Sequence, residues 1–559
     1  MAGVETTARH LMQVLYDHRV RIAFGVHGAN IEDMYAAAQE VGITAVVAKH
    51  EFAAGAMADA HTRMTTRPGV VMTTSGGGAM NVIPALAEAY DSRVPVLALI
   101  GSAPTTLADH GAFQDMLDPP DTIDLVGVLA GVTGSCSVLA QPESAAGAIA
   151  TACATLHRGL PAALVIPKDI QSAPVAAMPE PLHHVSARGR DITVETRLDA
   201  LADRLVAAAV APGRVCLWVG EEASRLRLGP EIDELADLLG ASTVASPGGR
   251  DVLHPGPGCA GITGVMGHPS AHDAMTSARL CVALGCRMSV TDRAGLDDAL
   301  RALDLTHIGC HRARFDECDE IIDDDLVESV RLLVKLVAAR VEGPTDRPST
   351  TLRHLVSPPT TAGRPPMRTV IDTIGAHLPP DCAVFADAGN VGAAAVHHLP
   401  FSPHQRFLVA LGMGGMGHGI AAGVGNALRG TVENDRRRTV VIAGDGAFYM
   451  HGMEIHTALE HDAALSLVIL NNDAHGMCVT RDHLYFPNTY SVNRFRATDL
   501  AAGLDAMFAT LDVRHARTAD EVDEYCSEMF SATGVNCLVV DVDPDEIPPF
   551  APFLRKGST

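Results

Sequence analysis

The chain has 559 residues, 47% of them apolar and 19% charged, which is enough for roughly three to four domains and too much for one core. A formal net charge of −24 argues against nucleic acid or an anionic membrane as the main partner, since both repel an acidic surface. No run of about twenty apolar residues offers a membrane span, and 12 cysteines scattered without a CxxC point to reduced thiols in a cytoplasmic protein, not to a disulfide framework or zinc site.

The opening "MAGVETTARHLMQVLYDHRV" reads as an amphipathic helix with charges throughout, not as a signal peptide. The first third then alternates helix-like stretches with apolar runs: "RIAFGV", "ITAVVAKH", "GVVMTTSGGG", "VPVLALIGSA" and "PAALVIPKD". The middle has "RVCLWVG", "STVAS" and "LCVALGC"; the last has "CAVFADAG", "RTVVIAGDG", "LSLVILNND" and "NCLVVDVD". Continuous Val/Ile/Leu runs ending in Gly, Asp or Asn predict buried parallel strands with helical crossovers. Pro-rich polar stretches at residues 172–192 and 342–366 lack the periodicity a core needs and read as linkers. The expectation is therefore three doubly wound α/β domains, over residues 1–180, 190–345 and 365–559. Ligands of such sheets bind beyond the strand C-termini.

In the last third, Gly412, Gly414 and Gly417 spell G-x-G-x-x-G, a dinucleotide-binding pattern. It is weak among 51 glycines, and Glu433 and Asp435 fall before the next strand, not at its end where a ribose partner belongs. "AGDGAF" and "NND" carry more chemistry. Asp445 and Asn472 lie 27 positions apart, each at the end of an apolar run, so neighbouring parallel strands would bring them together. A carboxylate, an amide oxygen and a nearby carbonyl suit Mg²⁺, which takes hard oxygen ligands and completes its octahedron with water and phosphate. The backbone N–H groups of Gly446 and Ala447 could then hold a diphosphate.

With those residues in view, the chain resembles the thiamine diphosphate-dependent enzymes, and within them the acetolactate synthase family. "FGVHGANIEDMYAA", "KHEFAAGAMADAHTR", "TTSGGGAMNVIPALAEAYDSRVPVLALIG", "GAFQD", "LVIPKDIQ" and "GMGGMGHGIAAGVGNAL" match that family in order along nearly the whole chain.

The resemblance implies a pyrimidine-binding, a central and a diphosphate-binding domain. It assigns Mg²⁺ to Asp445, Asn472 and the carbonyl of Ala474. Cofactor contacts fall to Val26, Thr74, Gly389, Asn390, Gly414, Gly444, Gly446, Ala447, His475, Gly476 and Met477, with Met416 as the apolar wedge that bends the cofactor. Glu51 matches the glutamate that hydrogen-bonds the aminopyrimidine ring and so governs proton removal at the thiazolium C2. Phe113 and Gln114 match a loop lining the substrate pocket, and Thr74 opens one close to the reacting carbon. His27 and His110 are titratable groups near those loops. In the family, Glu51 and the diphosphate clamp come from different subunits, which implies a homodimer or homotetramer.

Two departures qualify the match. Where acetolactate synthases carry Gln-Trp beyond the asparagine pair, this chain has Thr480 and Arg481, so Arg481 becomes the candidate for an acceptor bearing an anionic or strongly polar group. In the middle third, "GCRMSVTDRAG" keeps Arg287 of the family's flavin segment but has Met288, Ser289 and Val290 where the acids stand, which weighs against FAD. The expected activity is decarboxylation of a pyruvate-like 2-oxo acid followed by acyl transfer to a second carbonyl. The alternative is a simple decarboxylase releasing an aldehyde. Retention of Glu51, Asp445 and Asn472 argues against a non-catalytic paralogue.

Overall fold

The computed structural model describes residues 5–175, 192–360, 363–488 and 491–556. The first sheet comprises β1 (Ile22–Val26), β2 (Thr44–Val47), β3 (Gly69–Thr73), β4 (Val96–Ser102), β5 (Ser135–Val138) and β6 (Ala162–Pro167), in the order β2-β1-β3-β4-β6-β5. The second comprises β7 (Val215–Val219), β8 (Ser242–Ala245), β9 (Cys259–Ile262), β10 (Leu280–Leu284), β11 (Asp304–Gly309) and β12 (Asp319–Ile322), ordered β12-β11-β10-β7-β8-β9. The third comprises β13 (Ala383–Ala386), β14 (Arg406–Val409), β15 (Thr439–Gly444), β16 (Leu465–Asn471), β17 (Asp512–Ala516) and β18 (Val535–Asp541), ordered β14-β13-β15-β16-β18-β17.

The strands within each sheet pair in parallel. The first and third sheets share one topology, whereas the middle sheet has the order typical of dinucleotide-binding folds, with its first and fourth strands, β7 and β10, side by side.

The apolar runs predicted the central strands and missed β5, β9, β11, β12, β14 and β17. All but β11 are sheet edges. Edge strands are covered on fewer sides, so polar residues interrupt their patterns: β12 reads Asp-Glu-Ile-Ile and β17 reads Asp-Val-Arg-His-Ala. In β11 Asp304, Thr306 and His307 break the run, and Thr306 and His307 are buried nonetheless.

The first and third domains share one apolar core, in which Ala53 and Met57 meet Ala421, Val424 and Leu428. Helix Glu51–Thr65 lies against helix His418–Glu433 so closely that a Cβ at Gly425 would stand 2.5 Å from that of Met57. The helix starts at a local cap, the His50 side chain accepting the Phe52 N–H at 3.1 Å.

The second predicted linker is a tethered strap. Thr345 N–H donates to Asp237 O (2.7 Å), Gly258 N–H donates to Pro348 O (2.7 Å), and Arg347 pairs with Asp237 at 2.7 Å. Within it His354 packs among His268, His397 and His398. Sequence periodicity registers only apolar repeats, and this segment is pinned by hydrogen bonds and ion pairs. The first predicted linker lies mostly outside the described residues. Among the described residues all twelve cysteines are free, and no helix is long and apolar enough to cross a membrane.

Candidate active site

In the third domain, Gly444 and Leu470 are register partners across β15 and β16, so the residues after them emerge together. Asp445 opens helix Asp445–His451 with Gly444 as its N-cap. Its carboxyl group is 1% exposed, and Oδ2 has no hydrogen-bond partner. Burial pushes the Asp445 carboxyl up to about 7, although the backbone N–H groups of Asn472, Gly446 and Ala474 pull the other way.

Asn472 is buried beside it, its Oδ1 accepting the Ala474 N–H at 3.1 Å. The turn between them passes through Asp473 with φ of 51°. It is strapped from outside: His475 N–H donates to Asn493 O (2.9 Å) and Phe495 N–H to Asp473 O (2.7 Å), while the His475 ring meets Phe495 edge-on at 4.6 Å.

Other predicted residues converge here. A Cβ at Gly446 would lie 2.8 Å from His475 Nδ1 and 3.1 Å from Met416 Cε, so glycine is what lets these two side chains come this near. A Cβ at Gly476 would lie 2.6 Å from Asn472 Nδ2 and 2.8 Å from Asn390 Nδ2. Asn390 starts helix Asn390–His398 after Gly389 (φ 101°), and its Oδ1 is buried without a partner, as is His475 Nδ1. Ala447 is buried, Met477 half-buried, and Gly414 (φ 65°) faces open space.

The donor set fits a metal-bound diphosphate. Buried oxygens with spare lone pairs stand beside backbone N–H groups, and a divalent cation would supply what Asp445 Oδ2 lacks.

The first domain gathers a second group. Glu51 is the first residue of its helix and 8% exposed. Its Oε2 accepts from Asn81 Nδ2 at 2.9 Å, while Oε1 faces Gly78, whose missing Cβ would stand 3.2 Å away. Thr74 Oγ1 is buried without a partner. Gln114, with φ of 61°, folds over Gly76; Asn30 Nδ2 donates to Ser75 Oγ at 2.7 Å. Val26 ends β1 opposite Thr73 on β3, and His27 stacks at a tilt on Tyr35 at 4.8 Å.

Three predicted residues point outward. Phe113 is 85% exposed, His110 is exposed with Nδ1 on its own loop at Ala108 O (2.6 Å), and Arg481 is exposed with its guanidinium 5.6 Å from the Tyr485 ring. Among the described residues no ion pair joins Arg481 to Glu454. Glu454 is buried, and its Oε1 accepts the backbone N–H groups of Lys49 (2.8 Å) and His50 (3.1 Å).

Asn81, Asn30 and Ser75 carry no signal in isolation, because amides and hydroxyls occur everywhere; only their convergence marks them. Among the described residues no hydrogen bond or ion pair joins the Glu51 group to the Asp445 group.

The middle sheet has its own crevice at the switch between β7 and β10, a cavity of about 310 Å³ lined by Arg63, Asp91, Glu221, Arg287 and Asp292 among others. The helix after β7, Glu221–Arg225, begins with two acids. Glu222 Oε2 accepts the Cys310 N–H at 3.0 Å, and Glu221 Oε2 accepts from Ser246 Oγ at 3.2 Å. Arg287 is committed to Asp91 through two bonds of 2.8 and 2.6 Å.

Comparison with known proteins gives the class of this fold, a thiamine-dependent enzyme. Residues 5–125, 198–334 and 387–542 match the N-terminal, central and C-terminal domain models of the thiamine pyrophosphate enzymes. The chain belongs to that family, and within it is acetolactate synthase-like. It is 24% identical to the acetolactate synthase isozyme 1 large subunit of Escherichia coli (strain K12), over 97% of this chain and 94% of that one. It is 29% identical to a Pseudomonas aeruginosa protein named probable 2-ketoarginine decarboxylase AruI, over 84% of this chain and 83% of that one. A solved Mycobacterium smegmatis protein, assigned provisionally as a thiamin diphosphate-dependent enzyme, shares the fold with a TM-score of 0.78 at 21% identity, covering 97% of this chain and 100% of that one.

Proposed function

We propose that the protein binds thiamine diphosphate with Mg²⁺, decarboxylates a pyruvate-like 2-oxo acid and transfers the acyl fragment to a second carbonyl compound. The observation that carries this reading is the buried, partnerless Oδ2 of Asp445 beside Asn472 at the paired ends of β15 and β16.

Asp445, Asn472 and the Ala474 carbonyl would hold the metal, and the N–H groups of Gly446 and Ala447 the diphosphate. When bound, the cofactor supplies the electron sink for decarboxylation. The chain's residues do the rest. Glu51 Oε1 holds or releases a proton toward the aminopyrimidine while Asn81 fixes Oε2. Met416, beside Gly446, would be the apolar residue against which the cofactor rests. Gln114, held over the Gly76 turn, faces the substrate side.

The family resemblance implies a site completed by a second copy, with Glu51 from one chain and the Asp445 group from the other. Exposed Met80, Met413, Tyr449, Met450 and Met453 flank the two groups and supply apolar surface for such contact. The middle crevice supports a flavin-free enzyme: where a diphosphate would meet the helix N-terminus after β7, the Glu221 side chain already stands, and its ionised form repels a phosphate.

Simple decarboxylation is the second reading, favoured by the outward Arg481 and by the relative named as a decarboxylase. Product analysis with pyruvate, with and without an added aldehyde or 2-oxo acid, separates the two. A condensation product establishes transfer, whereas free aldehyde alone under all conditions overturns it.

A further inference from the structure

Met416 sits near the end of a glycine-rich turn, residues 411–417, that is gripped by buried carboxylates at both ends. At one end Asp387, 1% exposed, accepts the N–H of Gly417 at 2.8 Å and of Ile420 at 3.1 Å. At the other end the acceptor comes from a different domain. Glu88, on helix Ile83–Asp91 and 2% exposed, accepts the N–H of Gly412 through Oε1 at 3.1 Å and that of Met413 through Oε2 at 2.5 Å.

Glu88 is itself fixed. Ser92 Oγ donates to Oε1 at 2.7 Å, and Arg63, bonded to Asp59 at 2.7 and 3.2 Å, lies 3.6 Å from the same oxygen. A Cβ at Gly412 would stand 2.9 Å from Ser92 Oγ and 3.0 Å from Glu88 Oε1, so glycine is what lets the N–H come this near. Little else holds this end of the turn: the Met413 side chain is 60% exposed, and Gly414 has open space where a Cβ would be. Two consecutive N–H donors on the two oxygens of one carboxylate set both the position and the tilt of a turn, and charge-assisted bonds of this kind are the stronger ones.

We propose that Glu88 is a positioning residue, which sets the height of Met416 over Gly446 from the neighbouring domain and thereby the bent shape of the bound cofactor. The inference rests on the assignment of Met416 as the wedge. It gives a buried acid of the first domain a task in the third domain's site without contact to cofactor or substrate.

A double-mutant cycle tests it. The readout is hydrogen–deuterium exchange at C2 of bound thiamine diphosphate, which needs the two cofactor rings folded together, alongside cofactor affinity by titration calorimetry with Mg²⁺. Glu88→Gln leaves one oxygen for two N–H donors and should slow exchange by about tenfold, with affinity changed by less than about threefold. In a Met416→Ala background it should cost nothing further, because the effect passes through Met416. Exchange at the wild-type rate, or an equal additional loss in the Met416→Ala background, overturns the proposal. Should Glu88→Gln give no cooperative melt, Gly412→Ala replaces it with the same expectation, since it keeps the charge and displaces the turn. Failure of the site assignment would look different: Asp445→Ala would then retain cofactor, whatever Glu88 does.

Discussion

Gly444 on β15 is the register partner of Leu470 on β16, and Asp445 lies one residue beyond the first and Asn472 two beyond the second. The pairing brings a carboxylate and an amide together at the C-terminal ends of the two central strands. The carboxylate is buried there with an unused oxygen. A cation is the group that would offset the cost of that burial.

Asp445→Ala should lose both Mg²⁺ and thiamine diphosphate. The diphosphate's charge depends on the metal, and the metal on this carboxylate, so affinity should fall by at least about a hundredfold, a loss of roughly 3 kcal/mol. Equilibrium dialysis decides it. A variant that retains cofactor like wild type removes Asp445 from the clamp.

Glu51→Gln should bind cofactor normally yet exchange the C2 proton more slowly by about a hundredfold or more, the range for loss of a positioned acid–base group. Asn81 can still bond a carboxamide, so folding and affinity should hold. Wild-type exchange in this variant would exclude Glu51 from proton transfer.

Arg481→Leu separates the two reactions. If the guanidinium receives the acceptor, CO₂ release survives while acceptor efficiency drops about ten- to a hundredfold, as expected for a charge-assisted contact of about 1.5–3 kcal/mol. An unchanged efficiency would make Arg481 a surface residue stacked on Tyr485.

Purified enzyme should be colourless and active, because Glu221 stands at the phosphate end of the middle crevice. Absorbance spectra and calorimetry with added FAD measure this. Stoichiometric flavin in the active protein would refute it.

The strap over the middle domain should weaken in mild acid. His397 donates Nδ1–H to Met266 O (2.9 Å) and accepts the Leu355 N–H on Nε2 (3.0 Å), so only the neutral ring satisfies both. Burial pushes it down to about 4 and His268 to about 2. Because the folded values lie below the unfolded value of about 6.5, the unfolded chain binds more protons in this window, and stability is lost as pH falls from about 6.5 toward 4. His397 alone accounts for about 3 kcal/mol over that interval. Thermal melts of wild type and His397→Gln should show the variant's pH dependence to be flatter; parallel curves would exclude the ring.

The residue order by itself determined the class of the fold and named the candidate site. Apolar runs such as "TVVIAG" and "LSLVILN" can only be buried strands, and "GDG" and "NND" at their ends mark where a sheet of this kind binds ligands. Those features are local, written in consecutive residues, and therefore legible without a structure. The edge strands β5, β12 and β17 were not legible, because a half-covered strand needs no continuous apolar pattern. The tethered strap escaped because hydrogen bonds and ion pairs leave no periodic trace. Only tertiary packing decided that Asn81 fixes one oxygen of Glu51, that Asn390 joins Asn472, and that Glu88 reaches across 324 positions to hold the turn before Met416. Amides and carboxylates are common along any chain, and what gives these particular ones meaning is the distance between them, which the folded core sets.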